Sequence, residues 1–377
     1  MEFNQGGFTP PENNYNNGAY SYTPYNMPKF IPYDVWNREK ARIKKLSILA
    51  GAGVLLFIVF SSVYVGIYTF IGNMLGLIGG NATDAYTAVT SSNEFLFIFE
   101  ILYSVFVVGG PFFVLGAVFY KKGLVGTLPM GKPLKAKLLP LVVIAGFGVC
   151  LFGNIINSYI TLFFEMLAGS ELEYSFITET PDTVGGILLF YLSTAVVPAL
   201  IEEVAMRGII MQPLRRYGDW FAIICSSLVF GFMHCNLVQI PFAFIAGIVI
   251  GYAVIATESI WTGVLIHFMN NAFSVTVSII YDIYGMDSWQ YKLCDAAFYV
   301  FMIVGAALAY IVIRKFKDKP MYRSPLINQG RNIFGQVHPY SAKVSNKSLY
   351  GAYIFTLPMI SAFAMVCIET VITMLYM

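Results

Sequence analysis

Charge is what this chain has least of. Asp, Glu, Lys and Arg make up 12% of its 377 residues, against about a quarter in ordinary soluble domains. With 57% hydrophobic residues and a mean hydropathy of +0.68, a soluble domain is excluded and an integral membrane protein is indicated. The five cysteines, Cys150, Cys225, Cys235, Cys294 and Cys367, form no CxxC pair and no disulfide-framework spacing, so they read as small core side chains. No HExxH occurs, which excludes the soluble zincin arrangement. Residues 1–36 lack a basic n-region and an apolar h-region and are not expected to be a cleavable signal peptide. Their Asn, Tyr, Pro and Gly cannot bury enough surface to offset ordering entropy, so 1–45 is expected to be a disordered polar arm.

Long apolar runs are abundant. Crossing about 30 Å of hydrocarbon takes about 20 apolar residues. Segments near 46–71, 95–120, 138–166, 184–211, 220–237, 239–257, 259–281, 294–313 and 350–376 meet or approach that length. The expected fold is all-α, a polytopic transmembrane helical bundle. It has an eight-span core over 46–313, a basic loop over 314–349 and a ninth span over 350–377, around an intramembrane polar cavity. Lys and Arg gather before the first span and after the second, fourth and eighth, whereas Asp and Glu dominate 72–94, 167–183 and 282–293. That asymmetry predicts a cytoplasmic N-terminus and basic loop, in the plasma membrane if the host is bacterial. The lipid bilayer is an expected partner and nucleic acid is not.

Against this background VVPALIEEVAMRGIIMQ, residues 196–212, stands out. Charge at membrane depth costs several kcal/mol per residue, and is tolerated mainly where it faces protein or a water-filled cavity. Three places combine polar groups with such depth: Glu202, Glu203 and Arg207 on span four; His234 and Asn236 following Phe230 on span five; and His267, Asn270 and Asn271 on span seven. At 1.5 Å per residue, Glu202 lies about 19 Å from Arg215 and His234 about 22 Å from Asp219, so different spans carry these groups to similar depth. Glu203 and Arg207, at i and i+4, share a face and can pair. Glu202 is turned about 100° away, which leaves it as the carboxylate free for general-base work near a histidine. His267 and Asn271 also share a face, and together offer donors of the kind an oxyanion needs. Glu100 and Glu369 stand alone on spans two and nine and read as snorkelling or locally paired groups.

EEVAMRG at 202–208, FGFMH at 230–234 and HFMNN at 267–271 resemble, in that order, the EExxxR, FxxxH and HxxxN motifs of the CAAX protease and bacteriocin-processing family, which includes the CAAX prenyl endopeptidases. The segment GIVIGYAVIATESIWTGVLIH is similar to the family's lead into its last motif. The resemblance covers 150–275 well and the first three spans only by topology. It implies an intramembrane endopeptidase in which Glu202 and His234 activate water and His267 and Asn271 hold the oxyanion. Glu203, Arg207 and Phe230 would support that site. A peptide or a membrane-anchored protein tail would be the substrate, and the ninth span and polar arm depart from the family pattern.

Glu202, His234 and His267 also make a His2Glu set of the kind that holds zinc with an open position. Water activation without a cofactor is the preferred expectation, with divalent zinc as the open alternative. A catalytically silent scaffold or bacteriocin-immunity protein of the same fold is the rival to an enzyme. A proton-coupled transporter is the third reading, although no inverted repeat is visible. Oligomeric state is not legible.

Overall fold

A computed structural model describes residues 33–78, 92–120, 128–133, 136–169, 180–316 and 346–375. Among them 89% are helical and none is in a strand, so the expected all-α bundle is what forms. In chain order the helices are α1 (Tyr33–Ile78), α2 (Asn93–Tyr120), α3 (Leu139–Ala168), α4 (Val184–Leu214), α5 (Asp219–Phe232), α6 (Ile240–Thr257), α7 (Ile260–Tyr284), α8 (Trp289–Phe316), α9 (Asn346–Ile354) and α10 (Leu357–Leu375). Seven helices, α1 to α4 and α6 to α8, contain stretches long and apolar enough to cross a membrane, while the apolar stretches of α5 and α10 are shorter. Each of the nine apolar segments of the sequence therefore contains helix.

Two boundaries differ from those expected. Residues 33–45, assigned to the polar arm, are the first turns of α1. At 46 residues and 1.5 Å each, α1 is about 69 Å long, so its basic first turns can extend past the hydrocarbon without leaving the helix. Glu39 anchors that end, accepting from Arg42 Nη1 at 2.9 Å and from Tyr217 Oη at 3.0 Å. The arm's residues 1–32, and 317–345 of the basic loop, lie outside the described residues. The C-terminal span is broken into α9 and α10 at Phe355–Thr356, ahead of Pro358. Ser47 of α1 ties down the break through hydrogen bonds to the Tyr353 carbonyl and Thr356 Oγ1.

Local chemistry explains the ends that matter. Ser92 caps α2 by accepting from Phe95 N at 3.2 Å, and Thr183 caps α4 by accepting from Gly186 N at 2.9 Å. Glu258, left-handed at φ 54°, ends α6. The next turn is seated on the 128–133 segment by Ile260 N to Pro129 O, 2.9 Å, and Ser259 Oγ to Gly131 O, 2.8 Å. Large apolar side chains such as Phe106, Val114, Phe163 and Ile303 point outward, as lipid-facing positions require. Buried polar groups concentrate where α4, α5, α6 and α7 meet.

Candidate active site

Span four is one continuous helix, α4, interrupted by two π-helical turns, Leu192–Val196 and Val204–Ile210. Such insertions are rare and frequently mark functional sites. Glu202 and Glu203 lie in the short α-helical stretch Val197–Glu203 between them.

The helical-face argument for the glutamates is met. Glu203 Oε1 lies 3.0 Å from Arg207 Nη1, with side chains 0% and 1% exposed. The contact is an ion pair by distance without hydrogen-bond alignment, since Arg207 Nη1 has no hydrogen-bond partner. Arg207 Nη2 donates to the Gly247 carbonyl of α6 at 3.2 Å, and its guanidinium stacks 4.7 Å from the centre of the Phe230 ring. Three elements thus hold one buried cation.

Glu203 does more than the sequence suggested. Its Oε1 also lies 3.0 Å from His267 Nδ1 on α7, so this carboxylate joins the arginine to the histidine. Glu202, 15% exposed, meets the other ring nitrogen, with Oε2 3.8 Å from His267 Nε2. One imidazole therefore sits between two adjacent carboxylates, with Glu203 taken up by Arg207 and Glu202 only loosely engaged. Sequence spacing could not show this, because nothing in 202–207 encodes the register of α7.

His234 is not on span five proper. Helix α5 ends at Phe232, and a turn over 233–239 carries His234. Cys235 is left-handed at φ 46°, and Asn236 Oδ1 accepts from Val238 N at 2.7 Å, local chemistry that favours turns over helix. His234 Nδ1 bonds the Phe230 carbonyl at 2.9 Å, which turns Nε2 away from its own backbone. The Phe230 ring packs edge-on to both histidines, with centroids 5.1 Å from His234 and 5.8 Å from His267. Phe230 is the common wall of Arg207, His234 and His267.

Asn271 shares the α7 face of His267, and both engage α4, but at different points. Asn271 Nδ2 donates to the Thr194 carbonyl at 3.1 Å, and its Oδ1 accepts from Asn270 Nδ2 at 3.3 Å. Glu100 of α2 is locally paired, accepting from Ser193 Oγ at 2.7 Å and from Thr194 Oγ1 at 3.3 Å. Phe97 of α2 stacks on Phe190 of α4, centroids 5.0 Å apart, and Val275 of α7 packs with them.

As a cation site the His2Glu set is not gathered. Among the described residues no three His, Cys, Asp or Glu side chains are grouped so as to hold a metal ion. His267 instead directs Nδ1 to Glu203 and Nε2 towards Glu202.

Gly263 is needed for close approach. A Cβ there would lie 2.8 Å from Glu203 Oε2 and 2.7 Å from Val254 Cγ2. Gly263→Ala is therefore expected to push on the buried carboxylate and cost about 1–3 kcal/mol, the usual range for overpacking. A melting temperature in detergent equal to wild type would contradict this.

Residues 184–273, from the start of α4 into α7, match the family model described as "Rce1-like: Type II CAAX prenyl endopeptidase Rce1-like". A Bacillus subtilis (strain 168) protein named "Putative membrane peptidase YdiL" is 27% identical over 141 residues, covering 35% of this chain and 58% of the relative. The chain thus spans under two thirds of that relative's length. No solved structure matches. Glu202, Glu203, Arg207, Phe230, His234, His267 and Asn271 all fall inside the matched segment, so the part of the chain similar to the Rce1-like type II CAAX prenyl endopeptidases is the part that carries the site.

Proposed function

We propose that this protein is an intramembrane endopeptidase of the CAAX type, hydrolysing a peptide bond in a membrane-anchored protein tail or a membrane-borne peptide. The observation that carries the proposal is the unequal use of two adjacent glutamates. Glu203 is committed to Arg207 and to His267 Nδ1, while Glu202 faces His267 Nε2 at 3.8 Å without a hydrogen bond among the described residues. A structural ion pair needs one carboxylate; the second is free to accept a proton.

In this mechanism Glu202, assisted by Nε2 of His234, takes a proton from water as the oxygen attacks the scissile carbonyl. With Nδ1 committed to Glu203, Nε2 of His267 is the nitrogen left for the reacting groups. Carrying a proton, it donates with the Asn271 amide to the developing oxyanion. The proton held by Glu202 then passes to the leaving amine. Water activation without a metal is part of the proposal. Stoichiometric zinc in purified active protein, lost together with activity on replacing His234, would overturn that part.

The decisive experiment compares membrane peptides from cells carrying wild type or Glu202→Ala by proteomics. A cleaved terminus present only with wild type would identify both activity and substrate. No difference in any terminus would favour a silent scaffold or immunity protein. Orientation is proposed with the N-terminus and the basic loop cytoplasmic. A single cysteine at position 325, in a chain whose native cysteines are alanine, is expected to react with an impermeant maleimide only from the cytoplasmic side. Labelling from outside alone would reverse the topology.

A further inference from the structure

Span four carries Pro198 just after its first π-helical turn, and in α-helical register the carbonyl four residues earlier loses its donor. Proline has no N–H, so the α-helical bond from residue 198 to the Thr194 oxygen cannot form. A backbone acceptor inside a membrane span that loses its partner costs several kcal/mol unless another donor reaches it. Here the donor is Asn271 Nδ2, at 3.1 Å. The carbonyl sits in the π-helical turn Leu192–Val196, and Glu100 grips the outer side of that turn through the Ser193 and Thr194 hydroxyls at 2.7 and 3.3 Å.

We propose that Glu100 and Pro198 are positioning residues for Asn271. Glu100 fixes the turn, Pro198 withholds the α-helical N–H from the Thr194 carbonyl, and that carbonyl orients the asparagine amide. An amide nitrogen carries two hydrogens. One is committed to Thr194, and Asn270 Nδ2 donates to the amide oxygen at 3.3 Å, so the second N–H has a set direction. That is the preorganisation an oxyanion donor requires. The inference rests on the endopeptidase reading for its catalytic meaning, while the contact itself does not.

Pro198→Ala separates positioning from mere packing, because it supplies an N–H that, in α-helical register, competes with Asn271 for the Thr194 carbonyl. Melting temperatures in detergent are compared for Pro198→Ala, Asn271→Ala and the double variant. Asn271→Ala is expected to lower the melting temperature by about 2 °C or more in the wild-type background, as for a loss near 1 kcal/mol, and by clearly less when residue 198 is alanine. Additive effects overturn the proposal. With the peptide whose terminus depends on Glu202 as substrate, Pro198→Ala and Glu100→Ala are each expected to lower turnover by about 10- to 100-fold, the order expected of a misplaced catalytic group. The half-saturating concentration should be unchanged, and Glu100→Gln, which keeps a carbonyl acceptor, should recover most of the rate. A coupled cycle with unaltered turnover in Pro198→Ala overturns the catalytic role. If no terminus depends on Glu202, the endopeptidase reading and this catalytic role fail together, and the melting cycle alone decides the contact.

Discussion

Glu202→Gln is expected to yield a folded protein that binds its substrate and cleaves it at least about 10²-fold more slowly, the loss typical of a missing general base. The change keeps size and removes only the proton acceptor. Glu202 contributes little to the fold, since among the described residues it makes no hydrogen bond and its ion-pair contact, to His267 Nε2, is as long as 3.8 Å. The melting temperature should therefore stay within a degree or two of wild type, as surface-like substitutions within about 0.5 kcal/mol do. Single-turnover cleavage of the peptide identified by proteomics is the measurement. Wild-type turnover in this variant would remove Glu202 from the chemistry.

Glu203→Gln should fail in the opposite way. The carboxylate is 0% exposed, 3.0 Å from Arg207 Nη1 and 3.0 Å from His267 Nδ1, so neutralising it strands a buried guanidinium. Removing one partner of a buried pair costs about 3–5 kcal/mol, enough to reduce yield and melting temperature severely in a marginally stable protein. Removing both charges is far less costly. Glu203→Gln combined with Arg207→Met should therefore recover part of the lost stability. Recovery stays incomplete because the Arg207 bond to the Gly247 carbonyl and the stacking on Phe230 are also lost. A stable but inactive Glu203→Gln beside a fully active Glu202→Gln would reverse the two roles.

How much of this could be read from the sequence differs from residue to residue. The pairing of Glu203 with Arg207 was legible because i,i+4 neighbours on one helix meet whatever packs around them. The place of His234 was legible only in part: the apolar run continues to the residue before it, and the turn appears once the left-handed Cys235 and the Asn236 bond are seen. The shared face of His267 and Asn271 followed from spacing. Their separate targets on α4 did not, because those depend on the register of one helix against another. Pro198, four residues after Thr194, was the available signal for an open carbonyl; what would fill it was not.

By itself the sequence determined the all-α membrane architecture, the apolar segments, the three polar motifs and the resemblance they carry. Those features follow from hydrophobicity, from spacing along single helices and from residue type, all of which are local. Only the tertiary structure decided that Glu203 bridges Arg207 and His267, that Phe230 is a wall common to three charged or polar groups, and that Glu100 reaches the turn that holds Asn271. Each of these arrangements includes a contact between different helices, and the rotation and offset between packed helices are set by how all their side chains fit at once. No single segment contains that information.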